Sequence, residues 1–159
     1  MAEMTYRAAG MEDVETLAEL RYDMQLDMEH DAALMTRAAY VATYMAEMRV
    51  EFAQGRALAW LAEADGQAVA GVTLLIWTVP PSVEWPVRRR GQVSNVFTRP
   101  EYRRRGISRR LMERLLAAAR ERGIQRLVLW ASPEGQPLYA GLGFAPSRAL
   151  EMNLDEPHP

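Results

Sequence analysis

The residues with the clearest chemical content are Arg103, Arg104, Arg105, Gly106, Ile107 and Ser108. Three guanidinium groups precede a glycine, and the glycine opens a stretch with helical periodicity. Ile107, Leu111, Leu115 and Ala118 recur on one face, with Met112, Leu116 and Ala119 beside them. Arg109, Arg110, Glu113, Arg114, Arg120 and Glu121 fill the other face. The start of a helix carries unpaired backbone N–H groups and a partial positive charge, so it suits an anion. Glycine lets a ligand approach the backbone, and arginines add fixed charge. Phosphate is the anion such a turn fits. It is not a nucleotide-binding P-loop, because no Gly-Lys-Ser/Thr follows a glycine-rich run, and the dinucleotide fingerprint lacks its first two glycines. A solvated, arginine-rich helix start whose glycine only turns the chain accounts for the same residues. Local sequence leaves the two readings level.

Other chemistries are excluded more firmly. There is no cysteine, hence no disulfide, no thiolate nucleophile and no Cys metal site. Only His30 and His158 are present, which argues against a metal or a histidine-centred site. The net charge of −2 hides an asymmetry. Residues 1–65 hold 13 acids against 5 arginines, and residues 88–126 hold 13 arginines against 3 acids. The chain has no lysine. The basic half attracts polyanions, of which nucleic acid is one class. No apolar run approaches the roughly 18 residues that span a bilayer, and the start lacks a charged-then-apolar signal pattern. The expectation is one cytoplasmic domain over residues 1–159, with no membrane partner.

Several elements position the arginine-glycine turn. Gln92–Thr98 reads as a strand stopped by Pro100, which has no N–H for a ladder. Gly123 suits the end of the helix, and Arg126–Ala131 is an apolar run expected of a covered strand. Strand, helix, strand in this length implies a right-handed parallel crossover. Earlier, Thr5–Ala8 is a strand candidate, and Asp13 caps a helix with Leu17, Leu20 and Met24 on one face. Glu29-His30-Asp31 ends that helix. A second one carries Ala38, Val41, Met45, Met48 and Phe52. Ala57–Ala64 and Gln67–Thr78 form a hairpin about Asp65-Gly66. A loop around Glu84 and Trp85 follows, and Ala149–Leu154 reads as a final strand.

Residues Gln92 to Phe144 resemble the GCN5-related N-acetyltransferase family, which moves an acetyl group from acetyl-CoA to an amine. Arg103, Gly106 and Ser108 occupy the defined positions of its pyrophosphate loop, Gln/Arg-x-x-Gly-x-Gly/Ala, with Ser108 departing from the usual Gly or Ala. Leu138-Tyr139 through Leu142-Gly143-Phe144 is similar to its C-terminal signature. The resemblance implies an α/β fold. Its mixed, mostly antiparallel central sheet has a parallel fourth and fifth strand that splay apart, and helices cover both faces. It also implies that residues 103–108 bind the pyrophosphate and that the backbone of Val96, Phe97 and Thr98 pairs with pantetheine. The implied partners are acetyl-CoA and an amine of a small molecule or peptide. No nucleic acid or metal is implied, and a homodimer is allowed.

By the same resemblance, Tyr139 is the tyrosine near the CoA sulfur that serves as general acid; a phenol with pKa about 10 is protonated at neutral pH. The simpler reading is a core tyrosine. Ser132 stands where many members have an asparagine that contacts the cofactor. Many members also carry a glutamate base on the fourth strand, where this chain has Ser94 and Asn95. Glu84 is the candidate base in its place, against the reading of a solvated loop carboxylate. Asp27, Glu29 and Asp31 are candidates to meet a cationic acceptor, or form a solvated helix face. Trp85 either covers substrate or anchors its loop. Two other classes remain: a member of this fold that binds acyl-CoA without turnover, and an arginine-rich nucleic-acid-binding module.

Overall fold

The computed structural model describes residues 3–28, 35–84, 86 and 89–155. Five strands form one sheet in the order β1 (Met4–Ala9), β2 (Ala57–Ala64), β3 (Gln67–Thr78), β4 (Arg89–Thr98), β5 (Arg126–Val128). The first four run antiparallel to their neighbours, and β4–β5 is parallel. Helices α1 (Val14–Asp27) and α2 (Arg37–Ala53) lie between β1 and β2 in the chain, α3 (Ile107–Glu121) forms the β4–β5 crossover, and α4 (Gln136–Gly141) follows β5. This is the mixed, mostly antiparallel α/β architecture that the family resemblance implies.

Strand alternation explains why both faces of the sheet are covered. Along β2, Ala59 and Leu61 pack against Leu17 and Leu20 of α1. The intervening Trp60 and Ala62 pack with Ile107, Leu111, Met112, Leu115 and Ala119 of α3. The α3 stripe read from the sequence is thus the buried one, with Ala118 half-buried at its margin. On α2, Val41 and Met48 are buried and Ala38 is exposed at the first turn. The β2–β3 hairpin turns at Asp65 (φ 50°) and Gly66 (φ 77°), two left-handed residues that match the twist of paired strands. Gly123 ends α3 at φ 68°. Asp13 precedes α1 as expected, but its carboxylate accepts from Gly10 N (3.0 Å) and binds Arg7 (2.7 Å) rather than capping the helix.

The structure corrects three strand limits. β4 begins at Arg89, three residues before Gln92, because Arg89 to Gly91 pair with Ile76 to Thr78. β5 ends at Val128 instead of Ala131, because β4 diverges from it there. Ala149–Leu154 is not a strand: Leu150 and Leu154 are 99% and 82% exposed. Local side chains take that segment's amides instead, with Ala149 N donating to Ser147 Oγ and Asp155 N to Asn153 Oδ1. Glu29, His30, Asp31, Trp85 and His158 lie outside the described residues.

Gly91 sits where β4 meets both neighbours. A Cβ built there would lie 2.6 Å from Leu74 Cδ1 and 2.8 Å from Leu127 Cδ2. Gly91→Val therefore overpacks the only place where β4 and β5 touch. We expect a loss of about 1–3 kcal/mol in urea unfolding, with the site described below loosened in parallel.

Candidate active site

The parallel pairing of β4 with β5 lasts three residues: Arg90 with Arg126, Gly91 with Leu127, Gln92 with Val128. Beyond Gln92 the two strands separate. A bulge bends β4 between Ser94 and Phe97. Gly71 pairs with Phe97 and Thr73 with Ser94, so β3 advances two residues while β4 advances three. The added residue inverts the alternation. Val93 packs on the α3 side, whereas Phe97, four residues on, packs on the α1 side. Asn95 lies within the bulge at φ 55°, a left-handed conformation that asparagine tolerates better than most residues.

The gap between the strands opens into a cavity of about 830 Å³. Its walls include β4 from Gln92 to Thr98, Leu129, Trp130 and Ser132 after β5, Tyr139 of α4, Ser108 of α3 and the last two turns of α1. Val96, Phe97 and Thr98 thus have no strand partner on the β5 side, and their backbone edge faces the gap. An extended ligand with amide groups can add to such an edge as a strand would.

At one end of the cavity stands the arginine-glycine turn. Pro100–Tyr102 forms a single 3-10 turn, Arg104 is left-handed at φ 61°, and Gly106 caps α3 at φ 73°. The first α-helical bond runs from Arg110 N to Gly106 O (3.1 Å). The amides of Ile107, Ser108 and Arg109 therefore precede the ladder. A Cβ placed on Gly106 would meet nothing within 4 Å, so the space beside this residue is open. The sequence-predicted residues divide by what they touch. Arg103 is a strap: its Nε donates to Thr98 O (3.0 Å) and its Nη2 binds Asp27 Oδ2 (2.6 Å). Arg105 lies over the Tyr102 ring, 5.3 Å from the centroid, and Arg104 is exposed. Ile107 is buried beneath α3, so only its backbone is available. Ser108 Oγ is 2.9 Å from Thr98 Oγ1 and ties the helix start to the end of β4.

Tyr139 lines the same cavity, half-buried, with its ring edge-on to Phe144 at 6.0 Å. Burial raises its pKa above the ordinary phenol value. Ser132 also lines the cavity, and its Oγ accepts from Gly135 N (3.2 Å). Glu84 is exposed in the β3–β4 loop and is not among the lining residues. Asp27 does line the cavity, but its carboxylate is engaged by Arg103. Two lining or adjoining residues, Arg21 and Tyr44, escaped the sequence reading, and Asn95 enters it only as standing in place of a base. Arg21 donates to Asn95 Oδ1 (2.5 Å), and Asn95 Nδ2 donates to Tyr44 Oη (2.8 Å). Nothing local marks this chain of contacts, because its members lie 74 and 51 residues apart; an asparagine in mid-strand was the one available signal.

The acetyltransferase (GNAT) family model matches residues 22–144, and the matched region contains the bulge, the turn, α3 and the tyrosine helix. The chain belongs to that family. Its fold agrees with a predicted acetyltransferase from Clostridium acetobutylicum, solved with acetyl-CoA. The TM-score is 0.88 at 28% identity over 99% of this chain and all of that one. A GCN5-related N-acetyltransferase from Ralstonia eutropha JMP134 has TM-score 0.84 and 32% identity over 97% of this chain and all of that one. No curated protein matches the sequence. For a family that uses acetyl-CoA, the helix-start amides after Gly106 and the unpaired β4 edge supply what a phosphate and a chain of amides require. Among the described residues, no cluster of three or more His, Asp or Glu is placed to hold a metal.

The position of Tyr139 in this acetyltransferase depends on Gly135. A Cβ there would come within 2.9 Å of Tyr139 Cε2. Gly135→Ala should push the ring out of register; on the role proposed below for Tyr139, turnover should slow roughly 10–100-fold. Gly141→Ala meets only the flexible Arg109 Nη2 (2.8 Å) and serves as the control, with near wild-type rates. Thiol release by the two variants makes the comparison.

Proposed function

We propose that this protein is an N-acetyltransferase that passes the acetyl group of acetyl-CoA to a primary amine by direct attack on the thioester. The observation that carries the reading is one cavity bounded by an unpaired strand edge, a helix start and a half-buried phenol whose pKa burial raises. The backbone of residues 104–108 at the start of α3 binds the pyrophosphate, and Arg103 holds that turn against Thr98 and Asp27. Val96 to Thr98 hold the pantetheine amides. Acetyl-CoA then supplies the activated acyl carbon beside Tyr139. The amine forms a bond to that carbon, the carbon–sulfur bond breaks, and the amine gives up a proton to solvent or a base. Tyr139 Oη places a proton on the departing sulfur. Glu84 as base would need to act through water from outside the cavity lining.

Burial disfavours the charged phenolate, so the acid form of Tyr139 persists above the ordinary pKa of about 10. Loss of that acid form should therefore not limit kcat at neutral or mildly alkaline pH. Tyr139→Phe keeps the ring against Phe144 and removes only the hydroxyl. We expect kcat to fall by roughly 10²–10⁴-fold with CoA affinity little changed. Steady-state kinetics and calorimetry with CoA make the measurement, and a wild-type kcat would reduce Tyr139 to a packing residue.

The donor site has a separate test. Gly106 is left-handed, so a β-branched residue is strained there, and its side chain would occupy the open space beside the helix start. Gly106→Val should fold, with a stability loss of about 1–2 kcal/mol, and should bind CoA at least tenfold more weakly. Unchanged affinity in a folded variant removes the pyrophosphate assignment. Tight binding of duplex DNA at physiological salt, without CoA binding, would favour the nucleic-acid reading.

A further inference from the structure

We infer that Arg21 is the specificity-determining residue for the acceptor, and that the acceptor is an amine carrying a carboxylate, such as an amino acid. The inference rests on the transfer reading above and names the substrate class of that same cavity. The cavity joins two sides of the sheet. Thr98, Arg103 and Ser108 lie toward the start of α3, where the donor phosphates are assigned. Arg21, Met24 and Gln25 line it from α1, on the opposite face. A second substrate that must reach the same acyl carbon has that α1 side left to it.

Charge on the two sides is unequal. Among the described residues, four charged ones line the cavity: Arg21, Asp27, Arg103 and Glu134. Asp27 and Arg103 neutralise one another at 2.6 Å. Glu134 is exposed, in the segment just before α4. Arg21 is half-buried, and among the described residues no carboxylate pairs with it. Its partner is a neutral amide, Asn95 Oδ1. That amide is itself fixed. Asn95 is 5% exposed, its backbone is held in the bulge, and its Nδ2 donates to Tyr44 Oη. Asn95 therefore presents only its oxygen to Arg21, and it consumes one of the five N–H donors of the guanidinium. The remaining planar fork matches a carboxylate in two parallel hydrogen bonds. A purely cationic acceptor would face a guanidinium that no described carboxylate neutralises, and Asp27 is not free to offset it.

The test compares pairs of amines that differ only in the anion, each an amino acid with its amide, on wild type, Arg21→Gln and Arg21→Lys. Thiol release from acetyl-CoA gives kcat and KM, and calorimetry gives binding of each member to the CoA-loaded protein. The expected result is at least a tenfold preference of wild type for the carboxylate member in kcat/KM. Arg21→Gln should bring that ratio near one through KM, with CoA affinity unchanged, and Arg21→Lys should retain part of it. A wild-type ratio near one overturns the inference. So does an Arg21→Gln loss equal for both members, which would make Arg21 only a support for Asn95. If no amine releases thiol, binding decides. Carboxylate members that bind wild type but not Arg21→Gln uphold the anion site and overturn the transfer reading alone. Equal binding to both proteins, or none to wild type, overturns the inference.

Discussion

The structure depends on one backbone constraint: past Gln92, β4 has no partner on its β5 side. Backbone amides and carbonyls in an interior need hydrogen-bond partners. A strand edge inside a cavity is therefore a binding surface unless something covers it. The bulge and the short β5 create that edge together. The bulge bends β4, and the chain after Val128 stops following it. Three paired residues are enough to hold the strands together at one end, because Gly91 lets Leu74 and Leu127 close over the contact.

The uneven charge of the sequence acquires a structural meaning at the neighbouring seam. Acids of α1 meet arginines that follow β4: Asp23 binds Arg99 at 3.1 Å and Asp27 binds Arg103 at 2.6 Å. Asp23 also binds Arg37 at 2.8 Å, which brings the start of α2 into the same network. These pairs are partly exposed, and such pairs contribute little to stability. Their effect is geometric. They hold the turn before α3 against α1, and so fix the helix start relative to the β4 edge. The arginine cluster is thus divided between straps and open charge, which sequence could not distinguish.

Local patterns were legible where local forces decide. Asp65-Gly66 specified its turn, so the β2–β3 hairpin falls at the limits read from the sequence. The stripe on α3 and the glycine on either side of it located that helix. The motif around Gly106 and the Tyr139 segment led to the family, and Arg103, Ser108 and Tyr139 from them line one cavity. Strand ends were less legible, since pairing depends on a neighbour. Gly91 looked like loop sequence and is a buried contact. Leu150, Met152 and Leu154 alternate like a strand, yet they join no strand of the sheet and stay exposed. Glu84 was attractive as a carboxylate near β4 in sequence, but the loop places it outside the cavity lining.

The acceptor side was the least legible part, and the reason is physical. Donor binding relies on backbone geometry, which leaves short motifs of glycine and turn residues. Acceptor recognition relies on side chains converging from elements far apart in the chain. Arg21, Tyr44 and Asn95 come from α1, α2 and β4, and no spacing rule connects them. Each reads as ordinary alone: an arginine on a helix, a tyrosine on an amphipathic face, an asparagine in a strand. Their joint meaning depends on the bulge, because only a left-handed residue at position 95 belongs to the bend that inverts β4. The feature that opens the gap therefore also sets the polar floor on its α1 side. On the proposed assignment, a change to the bulge would disturb both substrates, whereas a change to Arg21 touches only one.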